Sequence, residues 1–160
     1  MAFGFLKPHY LPAHLQRLKQ LALFSTLTPR ELKIVDGLLH IRQFLADEVI
    51  FDEGEEGQAL YIIFSGAVSV ILTRDSGREV IAELSSGSFF GDLALLDNTP
   101  RNAQVRAKAA CELAVFFRAD FVSLMETDAT IGYKISLQLA RSLARRLRAQ
   151  YVGKPRIEAL

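Results

Sequence analysis

Between residues 41 and 118 the chain is a succession of short apolar runs, each closed by a turn that contains glycine. The runs 48–51 (EVIF), 59–64 (ALYIIF), 67–73 (AVSVILT) and 79–84 (EVIAEL) are rich in Val, Ile, Phe and Tyr, residues whose side chains fit a pleated surface. Turns at Glu53-Gly54, Ser65-Gly66, Asp75-Ser76-Gly77 and Ser85-Ser86-Gly87 separate them. Runs this short and this often interrupted cannot form helices. About seven or eight strands at such spacing close into a sandwich or barrel.

The flanks have a different period. Leu11, Leu15, Leu18, Leu21 and Ala22 share one helical face. Thr28-Pro29-Arg30-Glu31 then combines an N-cap hydroxyl, a proline at the first helical position and a glutamate placed to close a capping box, which predicts a helix over 29–39. After the strands, Asp120 is the expected N-cap of a short helix through Met125. Asp128 or Thr130 starts a long one ending near Tyr151, before Gly153 and Pro155. The expected fold is mainly β with flanking α: a jelly-roll-like β-roll, or double-stranded β-helix, with N-terminal helices and a long C-terminal helix. At 160 residues it forms one domain, 1–160, divided into N-terminal helices (1–40), roll (41–118), C-terminal helices (119–152) and a tail (153–160).

The long helix is apolar around more than half its girth. Tyr133, Leu137, Ala140, Ala144, Leu147 and Tyr151 make a seam spaced alternately four and three apart, while Ile131, Ile135, Leu139 and Leu143 make a second stripe. Lys134, Arg141, Arg145 and Arg148 occupy the remaining face. One stripe can pack on the roll. The other either buries within the same chain or meets a second copy, and its central alanines, which allow close approach, favour a homodimer. The basic face is read as solvated, with positive charge suited to the C-terminal half of a helix.

Composition narrows the function. The net charge is +1 and half the residues are apolar, so neither disorder nor a globally basic nucleic-acid binder is indicated. The N-terminal MAFGFLKPHYLP breaks at Lys7-Pro8 and lacks a signal peptide's apolar run, no stretch approaches a membrane span, and the expected location is cytoplasmic. The single Cys111 lies in the strand-like run 109–117 and reads as a buried structural thiol. His9, His14 and His40 all precede the strands expected from residue 41 onward, so no metal cluster is expected. Ser and Cys show no nucleophile motif, so no catalytic residue is assigned. The acidic run 47–56 lacks the spacing of a calcium loop.

One stretch carries chemistry: FFGDLALLDNTPRNAQV, residues 89–105. Gly91 lacks the Cβ that would keep a ligand off the backbone. Residues 92–96 form one helical turn whose first N–H groups are expected to be unpaired. Asp97-Asn98-Thr99-Pro100, all turn formers, return the chain so that Arg101 faces the same spot. A guanidinium offers two parallel hydrogen bonds to an anion. Asp92 beside an anion needs another task, and accepting a sugar hydroxyl's hydrogen bond is one. Ala103 is small enough for the next strand to pass behind the ligand. The residues read as a site for a small anion joined to a sugar.

The segments FGDLAL (90–95) and PRNA (100–103) with Val105 resemble the phosphate-binding cassette of cyclic nucleotide-binding domains, the family of the catabolite activator protein and the regulatory subunits of protein kinase A. LFSTLT (23–28), IFDEGE (50–55), ALYII (59–63), SGAV (65–68) and ARSLARRL (140–147) extend the resemblance over about residues 20–150. It implies cAMP or cGMP as ligand and no cofactor. Arg101 would pair with the cyclic phosphate. Phe90, Gly91, Leu93 and Ala94 would line the cassette and supply backbone N–H groups, Asp92 would hold the ribose 2′-hydroxyl, and Asn102 and Ala103 would complete the wall. The long helix would cover the base. The chain departs from the family at Asp92, where Glu is usual, at Asn102, where Ala, Ser or Thr is usual, and at Gln104, where Thr, Ser or Cys is usual. A Thr at the Asn102 position accompanies guanine preference, so a polar residue there points toward cGMP without removing cAMP. The implied role is a regulatory module that signals to a protein effector through its C-terminal helix. Two alternatives stand beside it: a dimeric interaction protein that has lost its ligand, and a fragment or relative of a Crp-like transcription regulator. Only seven residues follow Gly153, too few for a helix-turn-helix, so no direct DNA binding is expected.

Overall fold

A computed structural model describes residues 11–152. The expectations for residues 1–10, His9 included, and for the tail 153–160 lie outside the described residues. Helix α1 (Ala13–Gln20) leads through a 3-10 turn (Ala22–Phe24) to α2 (Pro29–Asp36). Eight strands follow: β1 (Leu39–Phe44), β2 (Val49–Phe51), β3 (Ala59–Ser65), β4 (Ala67–Arg74), β5 (Gly77–Ser85), β6 (Phe89–Phe90), β7 (Gln104–Ala107) and β8 (Cys111–Phe117). The single turn α3 (Leu93–Leu96) sits between β6 and β7, and α4 (Arg118–Thr127) and α5 (Ala129–Tyr151) close the described chain. The strands form two antiparallel sheets, ordered β1-β8-β3-β6 and β2-β7-β4-β5.

The central strands of the first sheet, β3 and β8, are covered on both faces, which explains their uninterrupted apolar runs. Leu60 and Ile62 of β3 and Ala114 and Phe116 of β8 pack against the helices, with Leu15, Leu18, Leu32, Phe121, Ile131, Ile135 and Leu139. Their neighbours in sequence, Ile63, Cys111 and Leu113, face the interior of the roll with Phe51, Val68, Phe90, Val105 and Ala107. Cys111 is buried, as expected, and burial pushes its thiol up from the ordinary value.

The capping box at α2 forms: Thr28 N–H donates to Glu31 Oε2 at 2.7 Å and Glu31 N–H to Thr28 Oγ1 at 3.3 Å. The helix ends at Asp36 rather than 39, because Leu39 already pairs with Phe116 in the sheet. Asp120 is not an N-cap. Strand β8 runs directly into α4, with Phe117 at the cap position and Arg118 N–H donating to the Gln58 carbonyl at 2.8 Å, so Asp120 falls within the first turn. Asp128, and not Thr130, caps α5, accepting from Ile131 N–H at 3.2 Å.

Helix α5 divides along its length. Ile131, Ile135 and Leu139 are fully buried in the helical core, each worth about 1.5–3 kcal/mol by apolar transfer. The other stripe stays at the surface: Tyr133 is 66% exposed, Leu147 53% and Tyr151 51%. Lys134 does not belong to a solvated basic face. Its ammonium lies 2.7 Å from Glu31 and ties α5 to α2, whereas Arg141, Arg145 and Arg148 are exposed. No helix of the described residues is long and apolar enough to cross a membrane.

Candidate functional site

Strand β6, α3 and the turn that follows form one wall of a cavity of about 960 Å³. Phe90, Gly91, Asp92, Leu93, Ala94, Arg101, Asn102 and Ala103 all line it, so the structure brings every expected site residue together. Val70 of β4 and Ile81 and Leu84 of β5 supply an apolar side, and Ser142, Arg146, Ala149 and Gln150 of α5 face it from above.

Arg101 is the centre of the wall. Only 8% exposed, its guanidinium donates from Nη1 to the Gly91 carbonyl at 3.1 Å and from Nη2 to the Ala59 carbonyl at 2.8 Å. It lies 4.0 Å above the Phe51 ring. Phe51 packs on Tyr61 and Phe90, which stack on each other, so an aromatic floor fixes the cation's plane. Its Nε is buried with no hydrogen-bond partner, and no carboxylate forms a salt bridge with it among the described residues. Burial accordingly pulls its pKa below the ordinary arginine value. The arrangement is a desolvated, orientated positive charge that forms no salt bridge among the described residues.

The backbone around Arg101 is held as firmly as its side chain. Gly54 N–H donates to the Arg101 carbonyl and Arg101 N–H to the Glu55 carbonyl, both at 2.8 Å. The turn behind it forms as its composition predicts, with Asp97 Oδ1 accepting from Thr99 N–H at 3.3 Å and from its hydroxyl at 2.7 Å.

Gly91, which lines the cavity, is needed for a reason beyond the expected one. Its φ is +72°, and a Cβ there would sit 2.6 Å from Arg101 Nη1 and 3.1 Å from the Ala59 carbonyl oxygen. The missing side chain makes room for the guanidinium itself. The N–H groups of the helical turn are also less free than the sequence suggests: Ala94 N–H reaches the Gly91 carbonyl at 3.3 Å and Leu95 N–H the Asp92 carbonyl at 3.0 Å. Gly91 therefore accepts from both Ala94 and Arg101.

Asp92 is 2% exposed and forms an ion pair with Arg146 of α5. Sequence reasoning missed Arg146, and a signal for it existed. The inward stripe Ile131, Ile135, Leu139 continues at helical spacing into Ser142 and Arg146, changing from apolar to polar where the helix passes from the core to the cavity. Phe51 was likewise passed over as an ordinary strand residue. Gln104, a departure from the family pattern, does not line the cavity. It faces the other side of β7, where its Nε2 donates to Asp52 Oδ1 and its Oε1 is buried without a partner. Asn102 is exposed at the rim.

A two-sheet roll whose buried arginine faces a cavity beneath a long helix defines a class of small-ligand-binding fold, and known proteins share it. The family model described as "Cyclic nucleotide-binding domain" matches residues 41–128. The cAMP-activated global transcriptional regulator Vfr of Pseudomonas aeruginosa is 37% identical over 131 residues, covering 77% of this chain and 61% of Vfr. A crystal structure of a cyclic nucleotide-binding domain from Methylobacillus flagellatus superposes with a TM-score of 0.78 at 25% identity, covering 91% of this chain and 84% of that one. The regulatory domain of Toxoplasma gondii PKA, solved with cAMP, gives a TM-score of 0.63 at 32% identity, over 68% of this chain and 42% of that one. This chain belongs to the cyclic nucleotide-binding domain family. It spans about three fifths of the length of the curated relative Vfr.

Proposed function

We propose that the protein is a regulatory module that binds cAMP or cGMP at Arg101 and passes the binding event to α5. The observation that carries this reading is the buried guanidinium of Arg101, stacked on Phe51, its Nε without a hydrogen-bond partner among the described residues. A buried cation costs stability unless an anion completes it. A single cyclic diester charge matches a single cation. Charge-assisted hydrogen bonds contribute about 1.5–3 kcal/mol each, and micromolar affinity requires about 8 kcal/mol. Two such bonds from Arg101, one ribose contact and a purine against Val70, Ile81 and Leu84 reach that sum after ordering costs.

In this reading Phe90, Gly91, Leu93, Ala94 and Ala103 shape the phosphate and sugar pocket, and Asn102 at the rim meets the purine edge. Asp92 serves two partners, the ribose 2′-hydroxyl and Arg146. A ribose that engages Asp92 competes with or rearranges its pairing to α5, so ligand binding biases the helix by its differential affinity for two arrangements. The seam of Tyr133, Leu137, Ala140, Ala144, Leu147 and Tyr151, partly to fully exposed along its length, would meet a second copy, making the helix both dimer contact and reporter. The module acts as one unit over 1–160, in the cytoplasm and without chemistry of its own, and hands its signal to a protein effector.

Isothermal titration with cAMP and with cGMP tests the reading. Micromolar binding of at least one, at one per chain, supports it; absence of heat with both at millimolar ligand refutes it. The second outcome would favour a dimeric interaction protein that keeps the fold, for which the existing Asp92–Arg146 pair is the favouring observation.

A further inference from the structure

We infer that Gln104 and Asp52, on the face of the roll turned away from the cavity, are positioning residues for Arg101. This rests on the proposed binding role of Arg101. Asp52 directly follows Phe51, the residue whose ring lies 4.0 Å from the guanidinium. It also begins the turn that holds the Arg101 backbone: its carbonyl accepts from Glu55 N–H at 3.3 Å, and that turn presents Gly54 N–H and the Glu55 carbonyl to Arg101. The side-chain bond from Gln104 Nε2 to Asp52 Oδ1 therefore anchors, at a single residue, both the aromatic support of the cation and the clamp on its backbone.

Local strand pairing leaves that anchor to be supplied. The register of β2 against β7 shifts between Val49 and Phe51, and the strand pairing ends at Phe51 with Val105, one residue short of Asp52 and Gln104. A side-chain hydrogen bond replaces the next rung of the ladder. The arrangement is not one that stability alone explains, because Gln104 Oε1 is buried without a partner and an unsatisfied buried acceptor is unfavourable. The two buried side-chain atoms without partners among the described residues are this oxygen and Arg101 Nε, three positions apart in sequence. Departures from local satisfaction are expected where a structure serves a site.

The test is a polarity swap. Gln104→Glu places a carboxylate against Asp52 and opens the anchor. The double variant Gln104→Glu/Asp52→Asn restores one hydrogen bond with its donor and acceptor exchanged. With cAMP or cGMP, whichever the wild type binds, Gln104→Glu should weaken affinity about tenfold, the loss of roughly one charge-assisted bond at the guanidinium, and the double variant should return to within about twofold. Leu18→Ala, a change in the helical core outside the cluster that holds Phe51, controls for destabilisation and should lower Tm with affinity unchanged. A Gln104→Glu protein that binds as the wild type does, or a double variant that is not rescued, overturns the inference while leaving the binding role of Arg101 intact. If the wild type binds neither nucleotide, the binding role fails instead, and the positioning is read without ligand from the NMR signal of Arg101 Nε–Hε. Its exchange with water should quicken in Gln104→Glu and recover in the double variant. Equal exchange in all three proteins contradicts the positioning.

Discussion

The two walls of the cavity are built on opposite principles. The cassette wall is fixed: Arg101 is held by two carbonyls, an aromatic floor and two backbone hydrogen bonds. The helix wall is the overhanging half of α5, beyond Leu139, and residues 145–151 are all exposed. What ties that half to the cassette is the ion pair from Arg146, itself half-exposed, to Asp92. A preorganised charge gives affinity without ordering cost. A lightly tethered helix gives the binding event something to move. In the proposed reading, fixed recognition and adjustable response are separated by a cavity rather than by a domain boundary.

The sharpest way to break this contrast is at the fixed wall. Arg101→Ala should lower nucleotide affinity by about a thousandfold, corresponding to about 4 kcal/mol from two charge-assisted bonds, while circular dichroism stays that of the wild type. Next is the anchored half of α5. Ile135→Ala empties a fully buried site and should cost about 2–5 kcal/mol in denaturant unfolding, whereas Arg148→Ala in the overhang should stay within about 0.5 kcal/mol.

Arg146→Met should be intermediate. It leaves the Asp92 carboxylate buried without its cation, at a cost of about 1–2 kcal/mol, reduced because Arg146 itself is half-exposed. Thermal unfolding should register that cost, and hydrogen exchange should quicken in 140–151 but not in 129–139.

The smallest effect concerns pH. Burial tends to raise the Glu31 carboxyl, but its bonds to Lys134 and Thr28 prevail and hold it below 4.5. A depressed folded pKa stabilises above the unfolded value and is lost as pH falls through the folded one. Lys134→Met should therefore lower stability at neutral pH by less than about 1 kcal/mol, and the difference from wild type should disappear as pH falls through the depressed Glu31 pKa. A difference that persists there would place the role of Lys134 in packing rather than charge.

Much of this was legible because it is local. The strands of the roll, the capping box at Thr28 and the cassette from Phe90 to Ala103 are each specified by residues within a few positions of one another. Asp128 as a cap is legible for the same reason. What escaped the sequence depends on meetings across the fold. Asp120 looks like a cap until β8 is seen to run into α4 without a break. That Gly91 also makes room for Arg101 shows only once the two are brought together. Arg146 meets Asp92 from 54 positions away and Gln104 meets Asp52 from 52 away, distances at which periodicity has no reach. Lys134 reads as part of a basic stripe because the helical wheel does not know that α2 lies beside it.

Hydrogen–deuterium exchange of the wild-type protein with and without saturating cAMP or cGMP tests the two-wall account most directly. The account predicts that protection changes in the overhang, 140–151, and around Asp92, while 129–139 keeps the protection of the core. Unchanged exchange in 140–151 on ligand binding, or a change spread evenly along α5, would contradict it.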